Sequence, residues 1–354
     1  MSIILDNIIF SLQKSGGVSV VWKEHISRLL DEYKRKTINL RFLEYDNALE
    51  NIFRKDLNIP HGCIVKESES FLFLKRYLAP CYKCTKQNLF HSSYYRTLKG
   101  ATNITTVHDF TYEYYYTGLK RKIHSWQKRK AILNSEKIIC ISNNTRDDVL
   151  KFIPEVDSSR LEVVYNGVNE AFRQLSTKEK INGFPFEVGE YILFVGDRQS
   201  KYKQFDLTVK VAFSVRKPLA IVGAPLTDEE VVKLSGLRYY ILSGVSTSTL
   251  NILYNNAFCL LYPSLYEGFG IPIIEAQRAG CPVIAGANSS ITEVMGAGSL
   301  LLDTVDAPNI IDAINALDNS SCRDEIIQKG LINSERFSWE KTFEKTLNVY
   351  KSVM

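Results

Sequence analysis

The sequence predicts an α/β protein of two domains, each a parallel sheet covered by helices on both faces. Three observations carry that prediction. Short, uniformly apolar runs alternate with helix-length segments along the whole chain, and runs that are apolar throughout mark strands buried on both faces. The alternation restarts past the middle, after the polar stretch "RQLSTKEKINGFPFEVGE", which carries Gly and Pro and has no helical period. Finally, 354 residues, 45% apolar and 11% aromatic, are long for one hydrophobic core and ample for two.

Taken in order, "SIILDNIIF" predicts the first strand. In the following "KSGGVSVVWKEHISRLL", Val18, Val21, Trp22, His25, Ile26, Leu29 and Leu30 keep helical spacing behind Gly16 and Gly17. "NLRFLEY", "NITTVHDF", "KIICIS" and "LEVVYNGV" continue the first sheet. "YILFVGDR", "PLAIVG", "YYILSGV", "AFCLLYPS", "CPVIAG" and "GSLLLD" build the second. Open parallel sheets bind ligands beyond the carboxyl ends of their strands, so the residues that follow strands are the functional candidates.

Charge divides along the same line. Splitting after Glu170 leaves 26 Lys/Arg against 19 Asp/Glu in the first half and 18 against 20 in the second, or +7 and −2. The basic half points to an anionic partner, a membrane surface or a phosphorylated substrate, at a density too low for nucleic acid. Seven cysteines, an odd number, with no signal-peptide pattern at the start, predict reduced thiols in the cytoplasm. No stretch approaches the roughly 20 apolar residues that span a bilayer. Cys81 and Cys84 have metal-ligand spacing but lack a second pair, so no metal site is expected.

Four strand ends carry candidates. Gly16 and Gly17 either make a tight turn or let backbone approach a ligand at a helix N-terminus. His108 ends "ITTVHDF" as a hydrogen-bonding partner for a bound hydroxyl or as a structural histidine, and most tyrosines of the following "TYEYYY" are expected to pack. Arg198 and Lys203, in "VGDRQSKYKQF", fit a pyrophosphate or a solvated loop. In "SLYEGFGIPIIEAQRAG", Glu267 precedes a Gly268-Phe269-Gly270 turn and Glu275 lies about one turn inside the helix that starts near Ile271. Carboxylates there can accept hydrogen bonds from vicinal hydroxyls, and the turn's N–H groups suit an anion.

Those residues resemble the signature of the retaining glycosyltransferases of family four, whose core is a Glu-x7-Glu pattern. "SGGVSVV", "TVHDF", "ICISNNTRDDV", "VVYNGV", "FVGDRQSKYKQFDL", "GVSTSTLNILYNNAFCLLYPS" and "RFSWEKTFEKTLNVY" extend the likeness over most of the chain in the expected order. The resemblance implies the GT-B fold, two Rossmann-like domains facing each other across a cleft. The acceptor-side domain would span 1–168, with 339–354 crossing back onto it, and the donor domain 169–338. It further implies Arg198 and Lys203 on the donor diphosphate, Glu275 on the ribose and Glu267 on the transferred sugar. His108 would sit by that sugar, Gly17 by the phosphates, and Val245 and Ser246 by the base. The segment from Leu49 to Gln87 matches no motif of the family.

The function implied is transfer of a sugar, GDP-linked in preference to UDP-linked, to a hydroxyl of a glycan in bacterial polysaccharide or O-antigen synthesis, without a metal or other cofactor. Acceptors in this family are often lipid-linked. In "GLKRKIHSWQKRKAIL", Lys120, Arg121, Lys122, Lys128, Arg129 and Lys130 interleave with Ile123, Trp126, Ile132 and Leu133, and Phe71, Phe73, Lys75 and Arg76 form a similar group. Both suit the inner face of the cytoplasmic membrane or a solvated helix face. A nucleotide-sugar epimerase and a non-catalytic glycan-binding subunit are the alternatives.

Overall fold

The computed structural model describes residues 2–68 and 70–354. The chain forms two compact units, one of Met1–Asn166 with Trp339–Met354, the other of Gly167–Ser338.

The first unit is built on strands β1 (Ser2–Asp6), β2 (Asn39–Tyr45), β3 (Ile64–Glu67), β4 (Asn88–Ser92), β5 (Thr102–Val107), β6 (Lys137–Cys140) and β7 (Leu161–Val163). They lie in the order β3-β2-β1-β4-β5-β6-β7, and every pairing is parallel. The chain runs outward from β1 in one direction and then returns to β4 on its other side. The switch point therefore falls between β1 and β4.

The first apolar run does not stay in the sheet. It ends at Asp6, and Ile9–Leu12 is a short helix. Asp6 is buried, lies 3.0 Å from Arg96 Nε and accepts a 2.7 Å bond from the Ser92 hydroxyl. Arg96 also donates to the Tyr45 hydroxyl at 2.5 Å. One buried guanidinium thus ties together the carboxyl ends of β1 and β2, while Ser92 adds β4, and a strand continued past Asp6 would pull this network apart.

The helix expected after Gly16 spans Gly17–Lys34 and buries Trp22, Ile26, Leu29 and Leu30. The C-terminal helix, Trp339–Lys351, packs beside it and adds Val349 and Tyr350 to the same core.

Helix Gly118–Leu133 corrects the basic surface expected of this region. Lys128, its side chain 1% exposed, donates to Glu113 at 2.8 Å and to the Asp109 carbonyl at 2.7 Å, and Ile132 is core. A buried ammonium survives because a carboxylate and a carbonyl replace its water. Leu119, Ile123 and Trp126 do face outward, as do Phe71 and Phe73. Of the tyrosines after β5, Tyr112 stacks between Tyr116 and His124.

The second unit has β8 (Ile192–Val195), β9 (Leu219–Val222), β10 (Tyr239–Leu242), β11 (Cys259–Tyr262), β12 (Val283–Gly286) and β13 (Leu300–Leu302) in the order β10-β9-β8-β11-β12-β13, again all parallel. Its switch point lies between β8 and β11. Ile192, Phe194, Leu219, Ile221, Leu261 and Ile284 form the core against the flanking helices. Among the described residues, no helix is long and apolar enough to cross a membrane, and no group of His, Cys, Asp or Glu side chains could hold a metal ion. Cys81 and Cys84 are free thiols.

Candidate functional site

The second unit's switch point is flanked by two loops that start at the ends of β8 and β11. The first runs from Gly196 to Gln204, where a left-handed backbone (φ 55°) turns the chain into helix Phe205–Val215. The second runs to Gly270, whose φ of 101° suits glycine, and opens helix Ile271–Arg278 with proline in its first turn. The Leu265 N–H donates to the Tyr202 carbonyl at 2.8 Å and links the two loops.

Across that link, Lys203 Nζ donates to Glu267 Oε1 at 2.5 Å, and the ammonium lies 5.5 Å from the centre of the Tyr262 ring. Burial alone would depress the Lys203 pKa, but Glu267 and Tyr262 raise it above its ordinary value, so the side chain stays charged. The turn that presents Glu267 is held by a serine pair. The Glu267 N–H donates to Ser289 Oγ at 2.9 Å, and Ser290 Oγ donates to the carbonyls of Glu267 at 2.8 Å and Phe269 at 3.1 Å. Ser289 itself adopts a left-handed φ of 46°, a local cost that the surrounding bonds must offset.

Glu275 sits on the fifth residue of its helix and accepts from the Tyr254 hydroxyl at 3.1 Å. Burial pushes its carboxyl up to about 7, against the smaller opposing effect of that bond. Tyr254 comes from helix Thr247–Asn256, which Ser246 caps through a 3.1 Å bond from the Thr249 N–H. Val245 and Ser246 thus stand at the entry to the helix that carries Glu275's partner, after β10.

Arg198 differs from expectation. The forked contact anticipated with a diphosphate is made within the protein, to Glu230, by Nε at 2.9 Å and Nη2 at 3.2 Å. Nη2 also donates to the carbonyls of Ala224 at 2.7 Å and Pro225 at 3.1 Å. These partners follow β9, whereas Glu267 follows β11. The two cations of one loop therefore diverge to opposite sides of β8, each compensated by a carboxylate.

In the first unit, Gly16 packs against the Gln13 side chain, and Gly17, the first residue of its helix, faces open space. His108 follows β5. Burial, with Lys128 adding to it and Asp109 opposing, lowers its pKa to about 4, so the imidazole is neutral. It lines a cavity of about 40 Å³ together with Trp22, His25, His91, Thr106 and Phe343. Behind that cavity the Tyr350 hydroxyl bridges His25 Nε2 at 2.6 Å and His91 Nδ1 at 2.5 Å, and His91 Nε2 meets Thr106 Oγ1 at 2.9 Å. Neutral imidazole and hydroxyl groups at a strand end can hydrogen-bond a polyol without adding charge.

Sequence reasoning did not single out Tyr254, Tyr262, Ser289, Ser290 or Glu230. Tyr262 carried a signal, as the last residue of a buried strand, and "NSS" another, as a turn after a strand. Nothing local pointed to Tyr254 or joined Glu230 to Arg198.

Two parallel-sheet units of seven and six strands are the architecture of the GT-B fold. Residues 16–172 match the family model described as Glycosyltransferase Family 4, and residues 189–319 match that of Glycosyl transferases group 1. The chain belongs to glycosyltransferase family 4. Among curated relatives it is 35% identical to O-antigen chain mannosyltransferase B of Escherichia coli, over 39% of this chain and 38% of that protein. It is 27% identical to O-antigen chain mannosyltransferase RfbU of Salmonella typhimurium, over 60% of each. The chain thus spans less than two thirds of either relative. In fold it is similar to sucrose-phosphate synthase from Thermosynechococcus elongatus, with a TM-score of 0.75 at 16% identity over 100% of this chain and 99% of that one.

Proposed function

We propose that the protein moves a hexose from a nucleoside-diphosphate sugar to a hydroxyl of a glycan acceptor, with retention at the anomeric carbon, in bacterial polysaccharide or O-antigen synthesis. The observation that carries this reading is the Lys203–Glu267 pair at the β8/β11 switch point, with Glu275 inside the adjoining helix. The likeness to two O-antigen chain mannosyltransferases supports mannose as the transferred sugar, and the donor is read as GDP-linked in preference to UDP-linked.

In this reading Lys203 and the N-terminus of helix Ile271–Arg278, with Gly268, Phe269 and Gly270 at its entry, face the diphosphate. Glu267 accepts from hydroxyls of the transferred sugar, Glu275 from the ribose, and Val245 and Ser246 border the base. Gly16, Gly17 and His108 are the first unit's own candidates for contact with a phosphate and a sugar. The bond between the anomeric carbon and the phosphate oxygen breaks with its electron pair going to the diphosphate. The acceptor oxygen bonds to that carbon, and its proton passes to the leaving phosphate. Lys203 lowers the barrier by stabilising charge that grows on the diphosphate as the bond loosens. No divalent metal takes part.

The acceptor is assigned to the first unit, on the cytoplasmic side of the membrane. Leu119, Ile123 and Trp126 with Lys120, Arg121 and Lys122 are exposed on one helix, and they suit peripheral contact with anionic lipid and a lipid-linked acceptor. A thermal-shift panel of GDP-, UDP- and ADP-sugars tests the donor. A ligand at a hundred times its Kd adds about 2.7 kcal/mol of stability, and no shift with any of the three would remove the reading.

A further inference from the structure

Arg198 is a cation enclosed by protein: its side chain is 3% exposed and that of Glu230 8%. Three features of the surroundings are fitted to it. Glu230 takes the fork, and Glu230 is itself fixed by a capping box, accepting from the Thr227 N–H at 2.9 Å while its own N–H donates to Thr227 Oγ1 at 3.3 Å. The carbonyls of Ala224 and Pro225 accept from Nη2 as well, while Nη1 is buried without a hydrogen-bond partner among the described residues. Gly223, just past β9, leaves room for Nη1, because a Cβ there would lie 2.8 Å from that nitrogen and 2.8 Å from the Gly196 carbonyl.

Arg198 lies two residues beyond Gly196, which follows β8, and five before Lys203. Fixing its side chain against the segment that follows β9 fixes the loop between them. The forked geometry defines a guanidinium's plane as well as its position, which a lysine at 198 could not do.

We infer that Arg198, Glu230 and Gly223 form a clasp that sets the loop carrying Lys203, so that Arg198 and Glu230 are positioning residues and Lys203 is the one cation of that loop that meets the diphosphate. The inference rests on the donor site proposed above. It gives Glu230 and Gly223 roles in a reaction they do not touch, and it moves Arg198 from contact to support.

The opposing view, with Arg198 released to bind the diphosphate directly, makes the reverse prediction for one substitution. Glu230→Gln weakens the hold on Arg198. A clasp then loosens the Lys203 loop and diphosphate affinity falls, whereas a sequestered ligand is set free and affinity rises. Calorimetric titration of GDP and guanosine, and of UDP and uridine, reads the difference as the diphosphate-to-nucleoside affinity ratio. We expect Glu230→Gln and Gly223→Ala each to lower that ratio about tenfold for whichever nucleotide binds. Arg198→Ala and Arg198→Ala/Glu230→Ala should lower it equally, because two residues acting as one unit are not additive.

A ratio that rises in Glu230→Gln, or additive losses in the double variant, overturns the clasp while the donor site stands. If the wild-type protein binds neither diphosphate, the donor site falls and the clasp with it.

Discussion

Lys203 and Glu267, 64 positions apart in sequence, meet at 2.5 Å where the second sheet reverses its winding. Each is nearly enclosed, at 15% and 11% side-chain exposure, so removing either one strands the other. Lys203→Ala should cost about 3 kcal/mol of transition-state stabilisation, a loss of 10²- to 10³-fold in kcat/KM. It should also destabilise the fold by about 3 kcal/mol through the unpaired carboxylate. The double variant with Glu267→Ala should recover much of that stability and none of the activity. Urea titrations beside steady-state rates check this, and a double variant no more stable than Lys203→Ala would mean that the pair is not what holds the loops.

In the proposed donor site Glu275 would link stability to donor binding through pH. Its carboxyl is raised from 4.5 to about 7 by burial, so between those values the folded chain holds a proton that the unfolded chain has released. Stability therefore falls as pH rises from about 4.5 to 7, by up to about 3 kcal/mol. Glu275→Gln should be more stable than wild type at pH 8 and no more stable at pH 4.5. If the carboxylate is the form that accepts ribose hydroxyls, affinity for the intact nucleotide-sugar should rise about tenfold from pH 6 to 8. It should stay flat and weak in the glutamine variant. Calorimetry at both pH values decides.

The first unit responds to pH in the opposite sense. Burial lowers His25 to about 3 and His91 well below the ordinary histidine value, with Arg28 adding to the first and His25 and His108 to the second. Both imidazoles are neutral when folded and protonate in the unfolded chain below about 6.5. Their contribution is complete above that pH and drains away as pH falls toward their folded values, by about 1.4 kcal/mol per pH unit for each. His25→Gln, which cannot titrate, should reduce the slope of unfolding free energy against pH by that amount between pH 6 and 4.5. Tyr350→Phe should cost about 1–3 kcal/mol at pH 7 by leaving buried ring nitrogens unpaired.

Much of this was legible in the sequence because parallel strands buried on both faces are written as continuous apolar runs, and the candidate residues follow such runs. Pro272 and Gly280 bracketed the Glu275 helix for the same local reasons that shape it. What escaped was tertiary. Lys128 sits in a basic run and looks like its exposed neighbours, until Glu113 and the Asp109 carbonyl are brought against it. The capping box Thr227–Glu230 has a local signature, yet only the fold shows its carboxylate reaching Arg198. "SIILDNIIF" hides its break at Asp6 because the isoleucines beyond it are buried too, in a different element.

The proposed lipid contact is tested on the corrected surface. With Lys128 interior, the basic residues left around Leu119, Ile123 and Trp126 are Lys120, Arg121, Lys122, Arg129 and Lys130, and Arg129 is paired with Glu155. Sedimentation with vesicles of anionic lipid should show binding that weakens as salt is raised, by about 1 kcal/mol for each of Lys120 and Lys122 changed to Glu. Lys128→Ala should instead lower the melting temperature, and salt-insensitive sedimentation would remove the membrane role.

Independence from metal is the remaining prediction. The sequence has no Asp-x-Asp element of the kind that holds a cation against a diphosphate. The structure complicates the simplest substitute, two free positive charges, because Arg198 is compensated by Glu230 and Lys203 by Glu267. The Lys203 pair is the adaptable one. An ammonium carries three donors, so Lys203 can keep Glu267 on one and give another to a phosphate oxygen, while the second carboxylate oxygen turns to a sugar hydroxyl. Its raised pKa keeps it charged throughout. Helix Ile271–Arg278 adds roughly half a positive charge at its N-terminus. In the proposed donor site those two features would place positive potential at the diphosphate without a coordination shell. Turnover with the preferred nucleotide-sugar should therefore persist in excess EDTA, with kcat changed less than twofold. Loss of activity in EDTA that magnesium or manganese restores would show that these groups do not carry the diphosphate's charge.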